Sequence, residues 1–302
     1  MRRVVTRALP DGRICSASPF HVCLKGLEQA ILCKDDEDYD AMVKVLCVAA
    51  RRKNVIIIIY AVVSNHCHIA ILAASQKEAD AYALELKKSY SMWYSRKYGS
   101  QKILRRIEIK AILLDNDWHV RNALAYIPRN ALDNCYNIDE YKWSGYRAMF
   151  QNTIADGIAV AGMKAKNRRR VMHTMDDLDK VPWRIDSEGS LIPSSFCDHT
   201  YLEDAFCSDQ AFFLKTIGGL NMAETRFRLE ERPYAKVSDS ELLDTARDLT
   251  MEWFARPIES LSPEQKIRLA TYLGHTRKTT VKQLSRVLCI PPERLGAVMR
   301  KR

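Results

Sequence analysis

The sequence predicts an α+β fold. A ferredoxin-like antiparallel sheet with helices on one face comes first, and an all-α helix-turn-helix unit follows. Three observations carry this. A β-branched run, "NVIIIIYAVVS", is followed after a Ser64-Asn65 break by a second apolar stretch, "HCHIAIL", and the two read as a hairpin. Over the first 150 residues the segments run strand, helix, strand, strand, helix, strand, helix. From residue 238 onward the pattern is helical throughout.

The elements follow in order. Residues 17–24, "ASPFHVCL", read as a short strand. Residues 35–53 read as a helix, with acids in the first turn and bases in the last to match the helix dipole. Residues 75–99 form a long amphipathic helix, with Ser75 as N-cap and Gly99 as C-terminal stop. Residues 103–114 read as a strand. Residues 116–132 read as a helix with Asp117 as the N-cap candidate. The stretch from 151 to 235 is a connecting region with no role assigned, and "VPWRIDSEGSLIPSSF" within it reads as loop. In the last unit, Ser262, Pro263 and Gln265 mark a capped helix start. "TTVKQLSRVL", the turn "CIPP" and "ERLGAVMRKR" fit a helix-turn-helix, with a plain helical bundle as the alternative. The expected domains are 1–150, 151–235 and 236–302.

Nine scattered cysteines form no Cys-x-x-Cys pair, which suits reduced thiols in a cytoplasmic protein. The N-terminal stretch shows no signal-peptide pattern, and no uncharged run reaches the length of a membrane span. Forty-seven basic against 37 acidic residues give a net charge of +10. A surplus of that size suits a polyanion, nucleic acid first. It is concentrated in "KAKNRRR", 164–170, and in the last 36 residues, where nine bases face one acid, Glu293.

In a strand, residues i and i+2 share a face. His66 and His68 therefore project side by side, and two imidazoles so placed can chelate one metal ion. Two histidines on a solvated strand face are the plain alternative. In the helix 116–132, Tyr126 and Asn130 stand at i and i+4 and share a face if the helix is regular. A tyrosine hydroxyl beside a metal can attack a phosphodiester, although packing is the commoner fate of a helical tyrosine.

"VVSNHCHIAIL" resembles the His-hydrophobic-His motif of HUH-type single-tyrosine transposases, the REP-associated branch most of all. "YIPRNAL" resembles that family's "YIxxNP" helix, "KWSGYR" its "WSSY" segment, and "IEIKAILLDND" the strand before the catalytic helix. The likeness covers roughly residues 13–150. It implies a metal-dependent single-strand DNA endonuclease and strand transferase. His66, His68 and Asn130 become ligands of Mg²⁺ or Mn²⁺, and Tyr126 the nucleophile. Trp143 and Tyr146 are expected to pack. The implied partner is single-stranded or hairpin DNA, cut to leave a 5′-phosphotyrosine and a free 3′-OH. A homodimer is left open as the active unit. Two departures stand out. Ala131 replaces the family's proline, and Pro128 falls between Tyr126 and Asn130, where it is expected to kink the helix.

The candidate phosphate contacts are Lys110, Arg129, Arg168, Arg169 and Arg170, with Lys282, Arg286, Arg294, Arg300 and Lys301 from the last unit. Two other functions compete with transposition. One is an HUH replication initiator, though no G-x-x-x-x-G-K helicase motif is present. The other is a DNA-binding relative that no longer cuts.

Overall fold

A computed structural model describes residues 3–25, 31–99, 108–133, 136–151, 156–219, 237, 239–277 and 279–299. The fold is α+β. Strands β1 (Val5–Ala8), β2 (Ile14–Lys25), β3 (Ile56–Val63), β4 (His66–Ala73) and β5 (Glu108–Leu113) form one antiparallel sheet. The strand expected at 17–24 is longer, because its first residues pair with β1 through Val5↔Ala17 to Ala8↔Ile14. Farther along, β2 pairs with β4 on one side and β5 on the other, giving the central order β5-β2-β4-β3. The fifth strand is described only from residue 108, so the expected 103–107 part lies outside the described residues.

Local chemistry sets the two long helices. Helix α1 (Asp36–Arg52) is capped by the Asp35 carboxylate, which accepts from the Asp38 N–H. Helix α2 (Gln76–Tyr98) is capped by Ser75 and stops at Gly99, whose φ of 65° is the left-handed value glycine adopts freely. Both lie on one face of the sheet. Tyr60, Tyr82 and Tyr90 are fully buried in the core there. Burial and the neighbouring Cys67 and Cys47 thiols push the Tyr82 hydroxyl well above the tyrosine range.

Helix α3 (Asp117–Asp133) corrects two expectations. It packs on β3 and β4 from the side opposite α1 and α2, so the sheet has helices on both faces and not on one. Its cap is Asn116, whose side-chain oxygen accepts from the His119 N–H, while Asp117 is already helical. Pro128 does not break it. Asn130 Nδ2 donates to the Tyr126 and Ile127 carbonyls one turn back, and the helix continues to residue 133.

"KWSGYR" extends the sheet edge: Val62 N–H donates to the Trp143 carbonyl, and Ser144 bridges Ala61. Gly145 permits this approach, since a Cβ there would meet the Tyr60 backbone nitrogen at 3.1 Å. Trp143 and Tyr146 are buried, as expected of packing residues.

The connecting region is more ordered than its sequence suggests. It contains the ribbon β6 (Ile158–Ala159) and β7 (Arg184–Ile185), helices α4 (Ala165–Met172) and α5 (His199–Ala205), and helix α6 over 210–219. The last unit comprises α7 (Asp239–Phe254), α8 (Pro263–Thr276), α9 (Val281–Leu288) and α10 (Pro292–Met299) around a smaller core of Leu242, Leu269, Leu273 and Leu288. The capping box on α8 has both of its bonds, Gln265 N–H to Ser262 Oγ and Ser262 N–H to Gln265 Oε1. No helix among the described residues is long and apolar enough to cross a membrane. No described cysteine is in a disulfide.

Candidate nucleic-acid cleavage site

Register places the site on the α3 face of the sheet. Cys23 lies opposite both His68 and Lys110, and His21 lies opposite both Ala70 and Ile112. Cross-strand partners share a face, so His21, Cys23, His66, His68, Lys110 and Ile112 all point the same way. Helix α3 covers the β3–β4 half of this face, while Lys110 and Ile112 remain exposed beyond it.

The four expected site residues come together. His66 Nε2 lies 3.2 Å from Asn130 Oδ1. The His66 and His68 rings meet edge to face at 4.8 Å between centroids, and the His68 and Tyr126 rings at 5.1 Å. Asn130 is 2% exposed, and its orientation is fixed by chemistry. Its NH₂ donates to the carbonyls of Tyr126 (2.9 Å) and Ile127 (3.1 Å), so its oxygen must face His66.

Two supporting residues escaped the sequence reading. Asn65 Oδ1 lies 2.8 Å from His66 Nδ1 and accepts its proton. His66 Nε2 faces the Asn130 oxygen on the other side of the ring. His21 Nε2 lies 3.0 Å from His68 Nδ1, and the two rings stack at 5.0 Å. Burial, with the nearby His119, lowers the His21 pKa to about 4, so its ring is neutral near pH 7 and can accept from His68. Second partners of this kind fix the tautomer of a ligating imidazole. The signal was present, since His21 alternates with apolar neighbours in "ASPFHVCL", but only register connects it to His68.

His66, His68 and Asn130 are the residues that could hold a hard divalent ion. Nε2 of His66 and Oδ1 of Asn130 are 3.2 Å apart, and a bound ion would take the place of the proton between them. Neighbouring ligands of an octahedral ion bound at about 2.1 Å are separated by about 3 Å. Among the described residues no three His, Cys, Asp or Glu side chains form a metal-binding group, so the amide oxygen is needed to complete the set.

The candidate phosphate contacts divide. Lys110, Arg169, Arg170, Lys282 and Arg294 are exposed. Two others, Arg168 and Arg286, are engaged in ion pairs within the protein, and Arg129 is buried beside Tyr126. Arg129 is 4% exposed, with its guanidinium carbon 5.5 Å from the centre of the Tyr126 ring. Arg168 is buried, donating to the Ala161 and Met163 carbonyls and pairing with Asp179. Arg286 forms a two-pronged pair with buried Asp239, at 2.9 and 3.0 Å. Arg300 and Lys301 lie outside the described residues.

Comparison of the chain with protein-family models, with curated proteins and with solved structures gave no match.

Proposed function

We propose that this protein is a metal-dependent, single-strand DNA endonuclease and strand transferase with an HUH-type core on a ferredoxin-like sheet, acting as a transposase. The observation that carries the reading is the convergence of His66, His68, Asn130 and Tyr126, drawn from a strand and a helix 64 residues apart, with Asn130 Oδ1 facing His66 Nε2. A protein that only binds DNA has no use for that set. The regular helix across Pro128 supports the cutting reading, because Tyr126 and Asn130 keep one face.

His66, His68 and Asn130 would hold Mg²⁺ or Mn²⁺, which supplies charge to polarise the scissile phosphate. Asn65 and His21 hold the two imidazoles in their ligating orientation. Tyr126 is half-buried beside His68, so its hydroxyl is positioned rather than mobile. Its hydroxyl gives up its proton to solvent as the oxygen attacks phosphorus. The P–O3′ bond breaks, the 3′ oxygen leaves as a hydroxyl after taking a proton, and a 5′-phosphotyrosine forms. The phosphodiester energy is kept in that link, so rejoining needs no nucleotide cofactor. The Arg129 guanidinium places fixed positive charge behind the tyrosine ring.

The test uses labelled hairpin oligonucleotides taken from the DNA flanking the gene, with and without Mn²⁺. The expected result is a denaturant-resistant protein–DNA adduct that needs the metal and is lost in Tyr126→Phe and His66→Ala. Tight, salt-sensitive binding with no adduct would overturn cleavage and leave a DNA-binding relative.

A further inference from the structure

Behind the sheet, on the side away from Tyr126, helices α1 and α2 and the 169–175 segment enclose an open groove of about 700 Å³. Five cations line it, and two are already engaged. Arg52 pairs with Asp176 and Glu85, and Lys97 with Asp35, Glu37 and Asp38. Arg96, Arg169 and Arg170 are exposed, and no described carboxylate pairs with them. The lining between these charges is mostly apolar, with Glu37, Ser89 and Thr174 at its polar points. Met92 is 50% exposed and Met175 74% exposed, while the half-buried Trp93 ring stacks on Tyr90, carries Lys97 over it and meets His173 edge-on.

Free guanidinium groups above an aromatic, thioether-rich floor match a ligand that carries phosphates and flat apolar faces together. A duplex hides its base faces in its stack, and an acidic peptide has no such faces. Unpaired nucleotides offer both. We propose that this groove binds a stretch of single-stranded DNA outside the nucleotides cleaved at Tyr126. The identity of the strand rests on the reading of the Tyr126 site, while binding in the groove does not require cleavage. A long strand then contacts both faces of the protein.

The experiment uses the full chain carrying Tyr126→Phe, so its outcome is independent of cutting. A 30-nucleotide strand substituted with 5-bromodeoxyuridine is bound, irradiated and digested, and the cross-linked peptides are mapped. In parallel, Arg96→Glu, Arg169→Glu and Arg170→Glu are combined. A control of equal charge change combines Lys180→Glu, Lys215→Glu and Arg256→Glu, all exposed and none of them lining the groove. Cross-links at Met92–Trp93 are expected. The groove variant should bind the strand at least tenfold more weakly, while the control loses under threefold. At about 0.7 per phosphate, the salt slope should fall by about 2. Cross-links confined to the Trp118–Tyr126 peptide, with groove and control variants equal, would overturn the proposal. So would an equal loss for the matching duplex, which marks general attraction. Displacement of the strand by polyglutamate from the parent protein but not from the groove variant would assign the groove to acidic polypeptides and overturn it as well.

Discussion

His21 makes the site's least obvious contact. It holds His68 from behind while taking no part in the donor set, and such supports govern metal affinity. His21→Phe keeps a flat ring against His68 but removes the acceptor. Mn²⁺ affinity, followed by electron paramagnetic resonance, should fall roughly 10- to 100-fold with the thermal midpoint nearly unchanged. An unaltered affinity would mean that His21 only fills space. Arg52 is a residue of another kind, since its role is structural. Its hydrogen bonds hold the Asp176 carboxyl below its usual range. For Glu85, burial pushes the pKa up, but hydrogen bonds from Arg52 and Ser89 outweigh it and the net shift is downward. Both acids are thus more acidic folded than unfolded. Their stabilisation is present above the unfolded values near pH 4 and is lost as pH falls through the folded ones. Arg52→Ala should cost about 1 kcal/mol at pH 7, a figure kept small because these groups are partly solvated. It should also flatten the acid limb of a urea stability profile below pH 4.

At the scale of elements, α3 tests how a proline sits inside a continuous helix. Pro128 has no N–H, so the Leu124 carbonyl lacks its usual helical donor. Pro128→Ala restores that bond and relieves a ring clash, a gain of up to about 3 kcal/mol. It also removes two buried methylenes at about 0.8 kcal/mol each. The first effect wins, so a net gain of about 1 kcal/mol is expected in urea unfolding. Adduct formation should be unchanged, because Tyr126 and Asn130 already share a face. A loss of adduct would show that the proline sets the tyrosine's position. Elements with local signals were legible in the sequence. Ser75 and Gly99 mark their helix ends, and the period of two in "HCH" puts both imidazoles on one face. What escaped depends on distant pairing. The β1–β2 register, the His21–His68 contact and the placing of α3 across the sheet from α1 and α2 have no local signature. Charge alone is equally mute, since Arg168 and Arg170 read alike although one is buried and the other free.

For the whole molecule, the decisive group is Asp239, 3% exposed at the start of α7. It accepts from Ser64 Oγ at 2.6 Å and from both prongs of Arg286. Ser64 lies in the turn just before Asn65 and His66, and its carbonyl also accepts from the Leu32 and Cys33 N–H groups. One carboxylate therefore ties the helical unit to the strand that carries the site. Asp239→Ala leaves Arg286 without its counter-charge. Losing one partner of a buried pair costs about 3–5 kcal/mol, and the partial exposure of Arg286 reduces this to about 2–3 kcal/mol. Calorimetry should then show the helical unit melting ahead of the sheet. Arg286 and Arg294 separate a structural ion pair from a proposed DNA contact in the same unit. Arg294 is exposed on α10, whereas Arg286 is spent on Asp239. Arg294→Ala should weaken duplex binding and lower its salt slope by about 1, with the melting point kept. Arg286→Ala should lower the melting point and leave the salt slope where it was. If Arg286→Ala instead shifts the slope by the same amount as Arg294→Ala, the Asp239 pair opens when DNA binds. Binding at the helical unit would then release the Ser64 turn, and with it the orientation of His66.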